Sequence, residues 1–221
     1  MEKILKVNIL KMKKFILDIP GLKEFYIYFK ETVIYFFEKK KWNALKNKEK
    51  IKLELGSEKK GENGFTTIDY MNGDIRHNLL KAIPLENSIV DEIYSSHTLE
   101  HFSFNNIIFI IHECRRILKP GGKLKICVPN AKLYIESYIN NKNFSEKKNW
   151  YKPAITDTGS YIDQLNYVAY LNGQHKFLFD NQNLVNILKM CGFKNANLRD
   201  FEKEVDRQDR DYESIYAIAI K

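Results

Sequence analysis

The chain has 221 residues, 44% of them hydrophobic and 29% charged, which suits one good-sized folded core, excludes a disordered chain and leaves little for a second full domain. Its formal charge of +8 is uneven: residues 1–50 hold 13 lysines against six acids, so the remaining 171 residues carry only +1, which is not the composition of a basic nucleic-acid-binding face. Three scattered cysteines, Cys114, Cys127 and Cys191, have no zinc-ligand spacing and read as reduced thiols of a cytoplasmic protein.

The first fifty residues are helical in pattern and broken at Pro20-Gly21. Beyond the break Leu22, Phe25, Tyr26, Phe29, Val33, Phe36 and Phe37 recur at spacings of three and four, an aromatic-rich helical face. That face is expected to pack on the body of the protein or on a second copy in a homodimer. The alternative is a basic amphipathic helix resting on an anionic membrane surface. The apolar block Val33 to Phe37 is too short to span a bilayer, and no secretion signal is evident.

From Lys52 onward strands alternate with helices. Expected strands are Ile51 to Leu55 ending in Gly56-Ser57, Phe65 to Ile68 closing on Asp69, a short one near Asp74 to Leu79, and Ile89 to Tyr94 running into Ser95-Ser96-His97. A helix is expected from about Asn105 to Leu118, with Ile107, Ile108, Ile111, Cys114 and Leu118 buried and Lys119-Pro120-Gly121-Gly122 as its stop. Lys123 to Val128 is a fifth strand. Residues 131–172 break the rhythm and read as an insertion over the active site, with Tyr134, Tyr138, Trp150, Tyr151 and Tyr161 available for stacking or for packing. A helix over Asn181 to Met190, a strand from Phe193 and a last strand over Ser214 to Ile220 complete the chain. The pattern predicts an α/β fold, a Rossmann-like mostly parallel sheet with helices on both faces, with residues 1–50 as a helical basic extension and 51–221 as the main domain.

Two stretches carry a family resemblance. Asp91-Glu92-Ile93-Tyr94-Ser95-Ser96-His97-Thr98-Leu99-Glu100-His101 follows the fourth strand, and Glu113-Cys114-Arg115-Arg116-Ile117-Leu118-Lys119-Pro120-Gly121-Gly122 leads into the fifth. With the Glu54-Leu55-Gly56-Ser57 turn and Asp69 at the end of the second strand, residues 51–130 and 173–200 resemble the class I S-adenosylmethionine (SAM)-dependent methyltransferases, in particular small bacterial members with a Leu-Glu-His triplet. The resemblance implies a seven-stranded sheet whose last strand runs antiparallel, SAM as cofactor and S-adenosylhomocysteine as product. Cofactor contacts are expected from Glu54, Gly56, Ser57, Asp69, Tyr70, Asn78, Leu79 and Ser96, with Asp69 accepting the ribose hydroxyls. The chain departs from the family pattern at Glu58, where a second glycine is usual, and at Asn78, where an Asp commonly meets the adenine amino group; an amide oxygen can still accept that bond.

The catalytic candidates are His97, His101 and His175. A helix starting near His97 would put His97, Glu100 and His101 on one face, where a neutral imidazole could take the proton of an acceptor hydroxyl. His175-Lys176-Phe177 could return beside them. Three imidazoles and a carboxylate would suit a transition metal, as some small-RNA ribose methyltransferases hold one, but the reading adopted here is a metal-free site with His175 as an acceptor contact. Arg115, Arg116 and Lys119 read as a solvated face. The expected activity is methyl transfer to a hydroxyl of a small polar acceptor, a sugar or glycan precursor, since relatives of this pattern accompany surface-glycan synthesis. The alternatives are an RNA ribose methyltransferase, a nicotinamide oxidoreductase, disfavoured by the lack of a full Gly-x-Gly-x-x-Gly turn, and a non-catalytic binding module.

Overall fold

The computed structural model describes residues 22–57, 59, 61–143 and 158–221. The expected break at Pro20-Gly21, the departure at Glu58, and Trp150 and Tyr151 of the insertion lie outside the described residues. Seven strands, β1 (Lys52–Leu55), β2 (Phe65–Asp69), β3 (Ile75–Arg76), β4 (Val90–Ser96), β5 (Leu118–Pro129), β6 (Asn195–Leu198) and β7 (Ser214–Ile220), form one sheet in the order β3-β2-β1-β4-β5-β7-β6. Strands β1 to β5 pair in parallel, and β7 lies antiparallel between β5 and β6. This is a Rossmann-like sheet with an antiparallel last strand, as the resemblance implied. Five helices accompany it among the described residues: α1 (Leu22–Lys46), α2 (Phe104–Ile117), α3 (Ala131–Ile139), α4 (Ile162–Tyr170) and α5 (Asn181–Met190).

Burial follows the pattern that layered packing requires. The last six residues of β5, from Leu124 to Pro129, are all buried, as a central strand covered on both faces must be. On α2 the buried row is Ile107, Ile110, Ile111, Cys114 and Ile117, at spacings of three and four. The helix ends one residue before Leu118, which already pairs with Val90 as the first residue of β5. The expected Lys-Pro-Gly-Gly stop therefore lies inside the strand assignment as a bulge between the Val90–Leu118 and Glu92–Lys123 pairs. Helix α5 and strand β7 have the expected bounds. Asp180 starts α5 with a capping box: its carboxylate accepts from Asn183 N, and the Asn183 side chain accepts from Asp180 N.

For helix α1 one of the expected partners of the aromatic face, the body of the protein, is corrected. Phe25, Phe29, Phe36 and Phe37 are 58–70% exposed, so the aromatic face does not pack on the body. The helix is held by its other side and its end, where Trp42 and Leu45 are each 2% exposed within the main core. Glu38 is also buried and meets Arg76 of β3. No described helix is long and apolar enough to cross a membrane. In the 131–172 segment Tyr134 is fully buried against Ala131 and Val168, with its hydroxyl donating to Glu213, so it is a packing residue and not a stacking surface.

Candidate active site

A cavity of about 1140 Å³ opens at the carboxyl ends of β1, β2 and β4. It lies where the strand order reverses between β1 and β4, the crevice in which open α/β sheets bind ligands. Glu54, Gly56 and Ser57 reach it from β1 and its turn, Asp69 and Tyr70 from the end of β2, Asn78 and Leu79 from the loop after β3, and Ser96 from β4. Register explains the convergence, since Leu55 pairs with Ile68 on one side and Ser95 on the other, so the three strands end at one level.

Local bonding fixes these groups. Asp69 Oδ1 accepts from Met71 N at 2.6 Å and Asn72 N at 3.2 Å, an Asx turn that pins the carboxylate at the cavity wall. Asn78 Oδ1 accepts from Leu80 N, leaving one lone pair, while its Nδ2 donates to Glu31 of α1. Lys30 of α1 donates to the Tyr70 hydroxyl at 2.7 Å, so the helix braces two cavity residues. Gly56 has φ +77°, and a Cβ there would lie 2.2 Å from Thr98 Cγ2. Thr98 cannot turn aside freely, because its hydroxyl meets the Leu55 and Ser96 carbonyls. The glycine is thus demanded by a contact between two strand ends. Burial raises the Glu54 carboxyl, opposed by a hydrogen bond from Ser57.

His97, Thr98, His101 and Phe102 continue the wall. The helix expected from about Asn105 begins at Phe104 as α2, but the helical face supposed at His97 is corrected: His97 has φ +48°, and a 3-10 turn spans Leu99–His101. The three histidines and Glu100 still gather, by a different route. His101 and His175 have ring centroids 4.9 Å apart, and the Nδ1 of His97 lies 3.8 Å from Glu100 Oε1. His175 stands behind His101 and is not part of the cavity wall. Burial pushes His97 down to about 3 and lowers His101 and His175, so the rings are neutral; it pushes Glu100 up to about 8. Proton positions follow from the partners. His175 Nδ1 lies 2.7 Å from Val168 O and His101 Nδ1 3.3 Å from Gln174 O, and carbonyls only accept. Ser214 Oγ donates to Arg210 O, so His97 Nε2, 2.8 Å away, donates to Ser214 Oγ.

Several lining residues were not singled out from the sequence. Arg207, Asp209 and Arg210 belong to the charged segment before β7, where no periodicity marks them. No described residue of 131–172 lines the cavity. Tyr94 also lines it, donating to Asp206, which is held by Arg199. Conversely, the residues that carried the resemblance are largely braces. Asp91 accepts from Ile51 N at 2.8 Å and Lys119 Nζ at 2.7 Å. Arg116 binds Glu113 and the carbonyls of Ile83 and Leu85, and Arg115 binds the Gly192 carbonyl, so this is a clasp and not a free solvated face.

Residues 47–126 match the family model described as a methyltransferase domain. Over this stretch, β1 into β5, the chain is similar to methyltransferases. The cavity suits SAM: a carboxylate, an amide and hydroxyls line it from neighbouring strand ends and the loop after β3, and a sulfonium nucleoside needs no phosphate cradle. No curated protein sequence matches the chain. Solved structures similar to it include a SAM-dependent methyltransferase from Archaeoglobus fulgidus (14% identity, TM-score 0.47, 89% of this chain and 99% of that one). Another comes from Thermotoga maritima (13%, TM-score 0.48, 94% and 98%). A candidate O-methyltransferase from Nostoc punctiforme is similar at 12% identity and TM-score 0.43 over 72% of this chain, which spans only 37% of that one.

Proposed function

We propose that the protein methylates a hydroxyl of a small polar acceptor, a sugar or glycan precursor, in the cytoplasm. The convergence of Asp69, Asn78, His97 and His101 on one cavity supports the reading, because it sets nucleoside-binding groups and neutral imidazoles in a single space. Three buried free thiols accord with a reducing compartment. SAM supplies an activated methyl group on a sulfonium. Asp69 would accept its ribose hydroxyls and Asn78 its adenine amino group, while Glu54, Gly56 and Ser57 would border its amino-acid end, with Tyr70, Leu79 and Ser96 completing the wall. His97 or His101 would take the proton that the acceptor hydroxyl gives up as the methyl group passes from sulfur to its oxygen, leaving S-adenosylhomocysteine. Burial keeps both imidazoles neutral and so able to accept it. His175 sets the position of His101 from behind. Placing the two reactants side by side contributes much of the remaining acceleration. Arg207 in the wall is paired with Asp209, and Arg210 beside it favours an acceptor that carries an anionic group.

Calorimetry with S-adenosylhomocysteine tests the cofactor half. Asp69→Ala is expected to weaken binding about 10- to 100-fold, the worth of hydrogen bonds to a charged group. Undiminished affinity would remove the ribose assignment. His97→Asn and His101→Asn should depress turnover with a sugar acceptor while leaving that affinity intact, and unchanged rates in both would remove the proton-acceptor role.

A further inference from the structure

Glu100 is 2% exposed, and neither of its carboxylate oxygens has a hydrogen-bond partner on another described residue. A buried acid in that condition is normally protonated or paired with a cation. What faces it is unusual. His101 Nε2 lies 4.0 Å from Glu100 Oε1, and one ligand atom each from Glu100, His101 and His175 lie within 4.8 Å of one another. Both imidazoles commit their Nδ1 protons to main-chain carbonyls, Gln174 and Val168, so both Nε2 atoms are bare lone pairs. Lone pairs and a carboxylate turned toward one another repel unless a proton or a metal cation lies between them, and their convergence from three side chains suits the cation. Carbonyls on the far nitrogen are also how metal-binding histidines are held. The cluster is built by the fold: Lys176 N and Phe177 N donate to the Glu100 carbonyl at 2.8 and 3.2 Å, docking the segment that carries His175 onto the turn that carries Glu100 and His101.

We propose that Glu100, His101 and His175 form a binding site for one divalent transition-metal ion of zinc-like chemistry. Two imidazoles and one carboxylate select a borderline ion over magnesium or calcium, which prefer all-oxygen shells. Tetrahedral coordination at roughly 2.0–2.2 Å puts ligand atoms about 3.3–3.6 Å apart, within reach of small side-chain rotations from the observed spacing. His101 stands in the cavity wall, so a remaining coordination position opens toward the acceptor, where the ion would lower the pKa of a bound hydroxyl. With the ion present His101 is a ligand, and the proton falls to His97. Binding of the ion does not depend on the identity of the acceptor.

The test uses the full chain stripped with a chelator and titrated with Zn2+ by calorimetry and with Co2+ by visible absorption. One ion per chain with a micromolar or tighter Kd is expected, with the intense d–d bands of low-coordinate Co2+. A hundredfold excess of Mg2+ should not displace it. E100Q and H175Q should each weaken binding at least 100-fold and abolish the bands, circular dichroism confirming that each is folded; should one fail to fold, the other carries the comparison. Absence of Zn2+ binding by the wild-type chain, or wild-type affinity in the folded variants, would overturn the proposal.

Discussion

Gly56 answers to two constraints at once, its φ of +77° and the Thr98 side chain against which any Cβ would collide. Gly56→Ala should therefore cost about 2–4 kcal/mol in denaturant unfolding, combining a left-handed penalty with overpacking. Adding Thr98→Ala removes the collision but not the dihedral strain, so the double variant should recover part of the loss. No recovery would assign the whole effect to φ. A second residue-scale prediction concerns Glu113. The hydrogen bonds from Arg116 hold its carboxyl below the ordinary value. A carboxyl depressed in the folded state stabilises fully above the unfolded pKa of 4.5 and loses that contribution as pH falls through the lower folded value. Glu113→Gln should be less stable than wild type by about 1–2 kcal/mol at pH 7, the worth of hydrogen bonds to a charged group discounted for partial exposure. That gap should close on acidification. A gap independent of pH would mean that the charge of Glu113 contributes nothing.

At the scale of elements, α1 gives the clearest prediction. Trp42 is 2% exposed and joins the core that contains β1 and β4, so Trp42→Ala should cost about 3–5 kcal/mol in a single transition shared with the sheet. An early separate transition would show that the helix melts alone. The helix also marks where reading the sequence reaches its limit. Its spacing announced a helix correctly, but the aromatic row lies outside, because a periodic face does not say which side finds a partner. Bounds were legible wherever hydrophobic alternation or a cap changed abruptly, as at Asp180 for α5 and Ser214 for β7. The local geometry was not legible at His97, where a left-handed backbone and a 3-10 turn replace a helical face, since nothing in Ser-Ser-His-Thr announces a positive φ. The same limit hides Arg207 and Arg210, which reach the cavity from a segment with no period. It does not hide Asp69 or Gly56, because a strand end fixes where its last residue points.

For the molecule as a whole, a ligand that binds only the folded state raises stability in proportion to the logarithm of its concentration over Kd. S-adenosylhomocysteine at 100 times its Kd should add about 2.7 kcal/mol, roughly 5–10 °C in Tm for a chain of this size, while NAD at the same concentration should add nothing. A larger shift with NAD would favour the oxidoreductase reading of this sheet.

Strand β7 stands between β5 and β6, although β6 comes before it in the chain. Because β6 pairs with β7 alone, it has no seat on the sheet until β7 arrives. The same strand brings Ser214 to His97, and the turn leading into it carries Arg207 and Arg210. One wedge thus decides two outcomes together. A chain whose hairpin has sprung open loses a sheet edge and a cavity wall in the same event, so slow-exchanging amides on β6 should become labile no later than those on β7.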